Sequence, residues 1–202
     1  MKIHRLSILL FLVLLAGCLP EFKNPLTAAG EQKLDERLAG LWMKIGGMGT
    51  KGKKPDVHYN FSLSENKQYY VVSSWETRGG VRKDNGGLMH IHTSKFKDRH
   101  YMNVKPHNPT GEKKDNGYLI LKYKLDGNKM GFSISNIGPF REAVLKGKLK
   151  GTVPKYKQAD GTMVDSKYQV KVTASQRKLQ KFFSKNDKKI FAGKFLFLDR
   201  KK

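Results

Sequence analysis

The amino-acid sequence predicts a mainly β protein in which antiparallel strands form a barrel, with one short internal helix and one helix near the C-terminus. Short segments in which apolar and polar residues alternate recur along the chain, and residues 57–63 are a clear example. Turn-forming pairs such as Asp126-Gly127 separate these segments. About eight to ten short strands joined by such turns are typical of a barrel or a sandwich.

The strands begin after a short helical turn over residues 35–39, which ends at Gly40. In the segment 118–125, apolar residues occupy every second position while Lys122 and Lys124 occupy the positions between them, as expected for a strand with one buried face. The predicted strands are 41–45, 57–63, 69–76, 88–96, 101–105, 118–125, 130–135, 168–172 and 195–198.

A short helix is predicted over residues 139–147. Pro139 suits the first turn of a helix, Phe140, Ala143 and Val144 form one apolar stripe, and Gly147 is a typical terminator.

A second helix is predicted over residues 175–185. Thr173, with Gln176 three residues later, has the spacing of a capping box. The apolar stripe of this helix consists of Leu179, Phe182 and Phe183.

Length and composition limit the classes of protein that are compatible with the chain. Its 202 residues suit one domain, and a hydrophobic content of 38% with 10% aromatic residues is enough for a modest core. A single cysteine excludes an internal disulfide framework, a cysteine-rich zinc module and a redox pair.

The N-terminus has the three parts of an export signal. Lys2 and Arg5 provide positive charge, residues 7–15 form an almost unbroken apolar run, and small residues follow. The run is too short to span a membrane as a helix. We therefore predict a signal peptide over residues 1–17.

Leu15-Ala16-Gly17-Cys18 resembles the lipobox of bacterial lipoproteins. The resemblance implies that Cys18 carries a diacylglycerol on its sulfur and becomes the acylated N-terminus after cleavage. The alternative is an ordinary signal peptide that ends near a cysteine. Two or more acyl chains anchor a protein stably. Leu19 stands where retention in an inner membrane typically requires Asp, so the resemblance implies the outer membrane if the source has two membranes.

These features predict three parts of the chain: the signal peptide, a lipidated cysteine with a flexible tether over residues 18–33, and a single barrel domain over residues 34–202. The tether is predicted because its segment contains two prolines and shows no periodicity.

Gly40-Leu41-Trp42, at the start of the first strand, resembles the Gly-x-Trp entry of lipocalins, whose barrels also end in a helix and one last strand. Arg200 stands where that family often places an arginine against the entry tryptophan. The chain lacks a clear Thr-Asp-Tyr motif at mid-barrel and has an extra helix. The chain also resembles uncharacterised bacterial lipoproteins that share this Gly-x-Trp opening. The alternative is that Trp42 is simply a core aromatic residue.

No catalytic residues and no cofactor are predicted. The loop 47–53 matches the start of a phosphate-binding loop but lacks the Ser or Thr and the helix that should follow. Gly131 to Ser135 lacks the second glycine of a nucleophile elbow, and the chain has no close pair of carboxylates. Cys18 is assigned to the anchor.

His90 and His92 are weak candidates for metal ligands. They lie two residues apart in a predicted strand and therefore on one face, and His100 and His107 could supply further ligands from a neighbouring strand. The only nearby carboxylate is that of Asp98, and histidines at this spacing also occur on solvated faces of basic sheets. No metal site is therefore assigned.

Positive charge dominates the chain, because Lys and Arg total 40 against 17 Asp and Glu, a formal net charge of +23. The C-terminal helix carries a basic surface formed by Arg177, Lys178, Lys181 and Lys185. Nucleic acid is the usual partner of so basic a chain. An exported protein meets anionic lipid, lipopolysaccharide or cell-wall polymer instead, so no nucleic-acid partner is expected.

The resemblances together imply a non-catalytic lipoprotein of the bacterial envelope whose barrel binds a small apolar or amphiphilic ligand. The alternative is a surface-interaction protein whose basic exterior holds anionic envelope polymers or a protein partner.

Overall fold

A computed structural model describes residues 19–45, 48–49, 52–107 and 117–201. The predicted signal peptide, the lipobox, Cys18 and part of the loop 47–53 lie outside these residues. Among the residues described, no helix is long and apolar enough to cross a membrane.

Each predicted strand and helix corresponds to an element of the structure, but six strands of two or three residues were not predicted. The strands are β1 Pro20–Phe22, β2 Gly40–Lys44, β3 Met48–Gly49, β4 Gly52–Lys53, β5 Asp56–Leu63, β6 Tyr70–Arg78, β7 Val81–Phe96, β8 Arg99–His107, β9 Leu119–Asp126, β10 Lys129–Ile134, β11 Gly151–Thr152, β12 Lys155–Lys157, β13 Met163–Asp165, β14 Val170–Val172 and β15 Leu196–Arg200. A 3-10 turn covers Glu36–Leu38, and the α-helices are α1 Ile137–Leu145 and α2 Gln176–Ile190.

Eight strands form a closed antiparallel barrel in the order β10-β15-β2-β5-β6-β7-β8-β9. The prediction of a mainly β chain built around an antiparallel barrel with two helices is therefore confirmed. The hairpin predicted at Asp126-Gly127 joins β9 to β10, and Gly127 has a φ of +53°, which side-chain-bearing residues rarely adopt.

The chain divides into two compact units. One contains Pro25–Ile134 and Gly193–Lys202, and it holds the whole barrel. The other contains Ser135–Ala192 and the chain as far as Asn24, and it holds both α-helices together with the sheet β1-β14-β11.

The flexible tether predicted over residues 18–33 is wrong for the part that the structure describes. β1 pairs in parallel with β14, and the side chain of Phe22 is fully buried. Further along, Leu26 is also fully buried and donates its backbone N–H to Asn103 at 2.7 Å. A strand of three residues is too short to show alternation, so its partner on β14 decides its conformation.

The two predicted helices are confirmed, but their ends differ from the prediction. The side chain of Asn136 accepts the N–H of Gly138, so α1 begins before Pro139. α2 continues to Ile190, and its N-cap is Ser175 and not Thr173, without a side-chain capping bond. The predicted capping box is therefore wrong, because Thr173 still belongs to the chain that leaves β14 and donates its backbone N–H to Lys150.

Candidate functional site

Leu34 and Leu38, on the chain that precedes β2, are buried in one cluster with barrel side chains and cover one end of the barrel. The indole of Trp42 on β2 is fully buried in the same cluster. Its Nε1 donates a hydrogen bond to the carbonyl of Leu38 at 2.8 Å. The register of β15 places Arg200 directly opposite Trp42, and the guanidinium lies 4.3 Å above the ring centroid. The same guanidinium donates to the carbonyls of Ala39, at 2.7 Å, and Arg37. The strand pairing therefore brings the predicted entry residues together.

Gly40 makes this closure sterically feasible. Its φ is +111°, a conformation that favours glycine, and a Cβ at this position would lie 3.2 Å from Nη1 of Arg200. A side chain here would strain the backbone and crowd the guanidinium.

Asp35 accepts a second group of hydrogen bonds at the same end of the barrel. Its carboxylate accepts two bonds of 2.7 Å from Arg37 and one of 3.0 Å from the hydroxyl of Tyr123. Its backbone carbonyl accepts a bond of 3.0 Å from the hydroxyl of Tyr70. Burial raises the pKa of Asp35, but the bonds from Arg37 and Tyr123 outweigh burial, and the net pKa lies below its usual value. Burial and the nearby Asp35 carboxylate raise the pKa of Tyr70 to about 12.

Apolar side chains fill the barrel next to this closed end. All of them are buried, and they form one continuous cluster. The members are Leu34, Leu38, Trp42, Phe61, Tyr70, Val72, Ile91, Met102, Val104, Tyr123, Met130 and Leu198.

The inner face of the barrel continues beyond this cluster with side chains that are only half-buried. Cross-strand partners point to the same face of a sheet, and each of these residues is paired with a member of the buried cluster. The pairs are Tyr59 with Trp42, Met89 with Val72, Leu119 with Val104, Leu121 with Met102, and Phe132 with Tyr123. We call these five half-buried residues the inner apolar wall. The inner face of the barrel thus carries half-buried apolar side chains beside the buried cluster.

Two groups able to form hydrogen bonds accompany the inner apolar wall. Glu76 shares a face with Ser74, which is the cross-strand partner of Tyr59. Burial raises the pKa of the Tyr59 phenol, and the negative charge of Glu76 raises it further. The interior therefore offers a neutral phenol as donor and a carboxylate as acceptor beside apolar side chains. A closed eight-stranded barrel with this lining is compatible with ligand binding.

His90 and His92 lie on the same face of β7, but the structure gives them different surroundings. The buried His92 makes a 2.7 Å hydrogen bond through Nε2 with the carbonyl of Thr27. The ring of His90 stacks on that of His107, with 4.5 Å between the centroids, and also contacts the tilted ring of Tyr69 at 4.6 Å. Within the described parts of the chain, no group of three or more His, Cys, Asp or Glu residues is arranged to hold a metal ion.

Three of the four predicted basic residues, Lys178, Lys181 and Lys185, line a cleft of about 840 Å³ between α1 and α2, whereas Arg177 does not. The cleft is also lined by Lys189 of α2 and by Lys146 and Lys148 at the end of α1. The sequence did not predict these three lysines as part of the surface. The spacing of the lysines along α2 was visible in the sequence. The contribution of α1 depends on helix packing and has no sequence signal.

No protein-family model, no curated protein and no solved structure matches this chain.

Proposed function

We propose that the protein is a non-catalytic lipoprotein of the bacterial envelope whose barrel binds a small apolar or amphiphilic ligand against the inner apolar wall. One observation carries the ligand proposal: on the inner face of the barrel, the apolar side chains of Tyr59, Met89 and Phe132 stay half-buried although each lies beside a buried partner. A ligand that covers apolar surface still accessible inside a barrel is stabilised in the complex by about 25 cal/mol for each Å² removed from water.

The polar groups beside this wall favour an amphiphile over a pure hydrocarbon. A phenol whose pKa is raised stays protonated at neutral pH and donates a hydrogen bond, and the Glu76 carboxylate accepts one. A ligand with an apolar body and a hydroxyl or ammonium group satisfies both, whereas a bare carboxylate beside Glu76 would be repelled.

The ligand proposal is tested by displacement of a fluorescent fatty alcohol from residues 19–202. We expect saturable binding that is insensitive to salt, because the contacts are mainly apolar. Native mass spectrometry of the same protein should show one bound molecule per chain. Absence of binding by both methods would contradict the proposal.

A matched pair of methionine variants locates the ligand. Met89→Gln places an amide on the inner apolar wall and should weaken binding by about tenfold, because one apolar side chain contributes roughly 1.5–3 kcal/mol when covered. Met163→Gln alters a methionine of β13 that is 55% exposed and should leave binding unchanged. Equal affinities of the two variants would place the ligand elsewhere.

The anchor is a separate part of the proposal, based on the lipobox at residues 15–18. Cells that express the full chain and receive labelled palmitate should incorporate label, and a Cys18→Ser variant should not. The wild-type protein should sediment with membranes, in the outer membrane fraction if the source has two membranes. Incorporation by the Cys18→Ser variant, or a wild-type protein that remains in the aqueous fraction, would contradict the anchor.

A further inference from the structure

Positive charge predominates on the walls of the cleft between α1 and α2. Six lysines line it, and among the described residues that line it Glu142 is the only acidic one. All six lysines are exposed, so their ammonium groups are hydrated and accessible. Among the described residues only Lys146 of the six forms an ion pair, with Glu142 at 2.6 Å.

The lysines of α2 form a row along the helix. Lys178, Lys181, Lys185 and Lys189 are separated by three or four residues, which places them on one side of the helix. From the first to the last the row extends about 16 Å at 1.5 Å per residue. Lys146 and Lys148 stand on the other wall, so positive charge faces the cleft from two sides.

The pKa of Glu142 reflects this arrangement of lysines. The hydrogen bond and charge of Lys146, together with the charges of Lys148 and Lys189, hold the pKa of the Glu142 carboxyl below its usual value. One carboxylate thus experiences lysines from both walls.

The floor of the cleft is apolar. Pro139, Ala143, Leu149 and Phe182 contribute to it, and the Phe182 ring lies 5.3 Å from that of Phe140. Low-dielectric walls concentrate the field of a charged cleft and raise the local concentration of counter-ions.

We propose that this cleft binds a linear polyanion that carries phosphate groups at intervals along its chain. A row of lysines about 16 Å long exceeds the size of a single phosphate and matches several in succession. Ammonium groups bind phosphate as point charges without a fixed orientation, which suits a flexible chain. Concave walls contact a strand from two sides, whereas a flat bilayer surface meets the lysines of one wall only. The inference rests on α1 and α2 and does not depend on the barrel ligand.

The test uses the full chain in a non-ionic detergent and long-chain inorganic polyphosphate as the probe, with affinity measured by calorimetry at several salt concentrations. We expect binding that weakens steeply with salt, and weak competition by orthophosphate at the same phosphate concentration because a single phosphate lacks multivalency. Polyphosphate that fails to bind at low salt, or orthophosphate that competes equally well, overturns the proposal.

Two double variants with the same loss of charge locate the site. Lys181→Gln with Lys185→Gln removes two lysines of the cleft and should lower polyphosphate affinity at least about tenfold and reduce the salt dependence. Arg177→Gln with Lys188→Gln removes two charges from the same helix outside the cleft and should lower affinity less than about threefold. Equal losses would show that binding follows net charge, which overturns the proposal.

Vesicles of phosphatidylcholine and phosphatidylglycerol serve as the competing partner. Polyphosphate binding that depends on the cleft, together with vesicle binding that does not, supports the proposal. Vesicle binding that is lost only in the cleft variant, with no binding of polyphosphate, overturns it in favour of a membrane surface. The barrel variant Met89→Gln reports separately on the ligand proposal, because β7 belongs to the barrel and the cleft does not.

Discussion

The guanidinium of Arg200 on the last strand lies 4.3 Å above the indole of Trp42 on the second strand and donates hydrogen bonds to the chain that enters that strand. One side chain thus connects the beginning and the end of the barrel. The stack covers the ring of the largest buried residue at the closed end, and the donors satisfy carbonyls on the turn before β2.

Arg200→Lys should lower the free energy of unfolding by about 1–3 kcal/mol, because lysine cannot reproduce the planar stack on Trp42 or donate to two carbonyls from one rigid group. Urea unfolding followed by tryptophan fluorescence measures the loss. Arg177→Lys, at an exposed position of α2, is the control and should change stability by less than about 0.5 kcal/mol. Equal stabilities would show that the stack contributes nothing.

Asp35→Asn should destabilise the protein at pH 7 by roughly 1–3 kcal/mol, because Arg37 and Tyr123 lose an ionised acceptor. The folded pKa of Asp35 lies below its ordinary 3.8, so the carboxylate stabilises the fold above pH 3.8, and this stability is lost as the pH falls through the folded pKa. The difference between wild type and variant should therefore stay constant from pH 7 to 5 and shrink below pH 4. Asp98→Asn, whose side chain is 88% exposed, should show neither effect.

Acid should weaken the fold through His92. Burial lowers the pKa of this histidine against the opposing effects of Thr27 and Glu31. Its folded pKa therefore lies below the ordinary 6.5, and the unfolded chain takes up protons first as the pH falls. The free energy of unfolding should decrease from pH 7.5 to 5.5, and His92→Asn should decrease less over the same interval. Denaturant titrations at the two pH values measure both slopes.

A wild-type protein whose stability is unchanged between the two pH values would contradict the assignment of His92 as a buried neutral residue.

Phe22→Ala should destabilise the unit that contains both helices by about 3–5 kcal/mol, because it removes a fully buried ring. That ring lies 5.0 Å from the Phe140 ring and 5.8 Å from that of Phe183. The loss is measured by thermal unfolding followed by far-UV circular dichroism, which reports secondary structure. Tyr168→Ala, at a residue that is 61% exposed, is the matched control. A small effect of Phe22→Ala would favour the flexible tether that the sequence predicted.

The sequence determined the local elements of this protein. Alternation in residues 57–63 and 118–125 predicted β5 and β9, and Asp126-Gly127 predicted the hairpin after β9, because strand faces and tight turns depend on residues close together in the chain. It also predicted Gly40, Trp42 and Arg200 as one group, through the resemblance to lipocalins. β1 was missed because three residues carry no period.

Tertiary structure decided what those elements do together. The pairing of β15 with β2 closes the barrel, and the packing of α1 against α2 creates the lysine cleft. Nε2 of His92, which the sequence suggested as a weak candidate for a metal ligand, forms a hydrogen bond with the carbonyl of Thr27. Each of these contacts joins residues far apart in the chain. Their formation depends on which surfaces are buried together in the folded protein. A local pattern of side chains does not predict such long-range contacts.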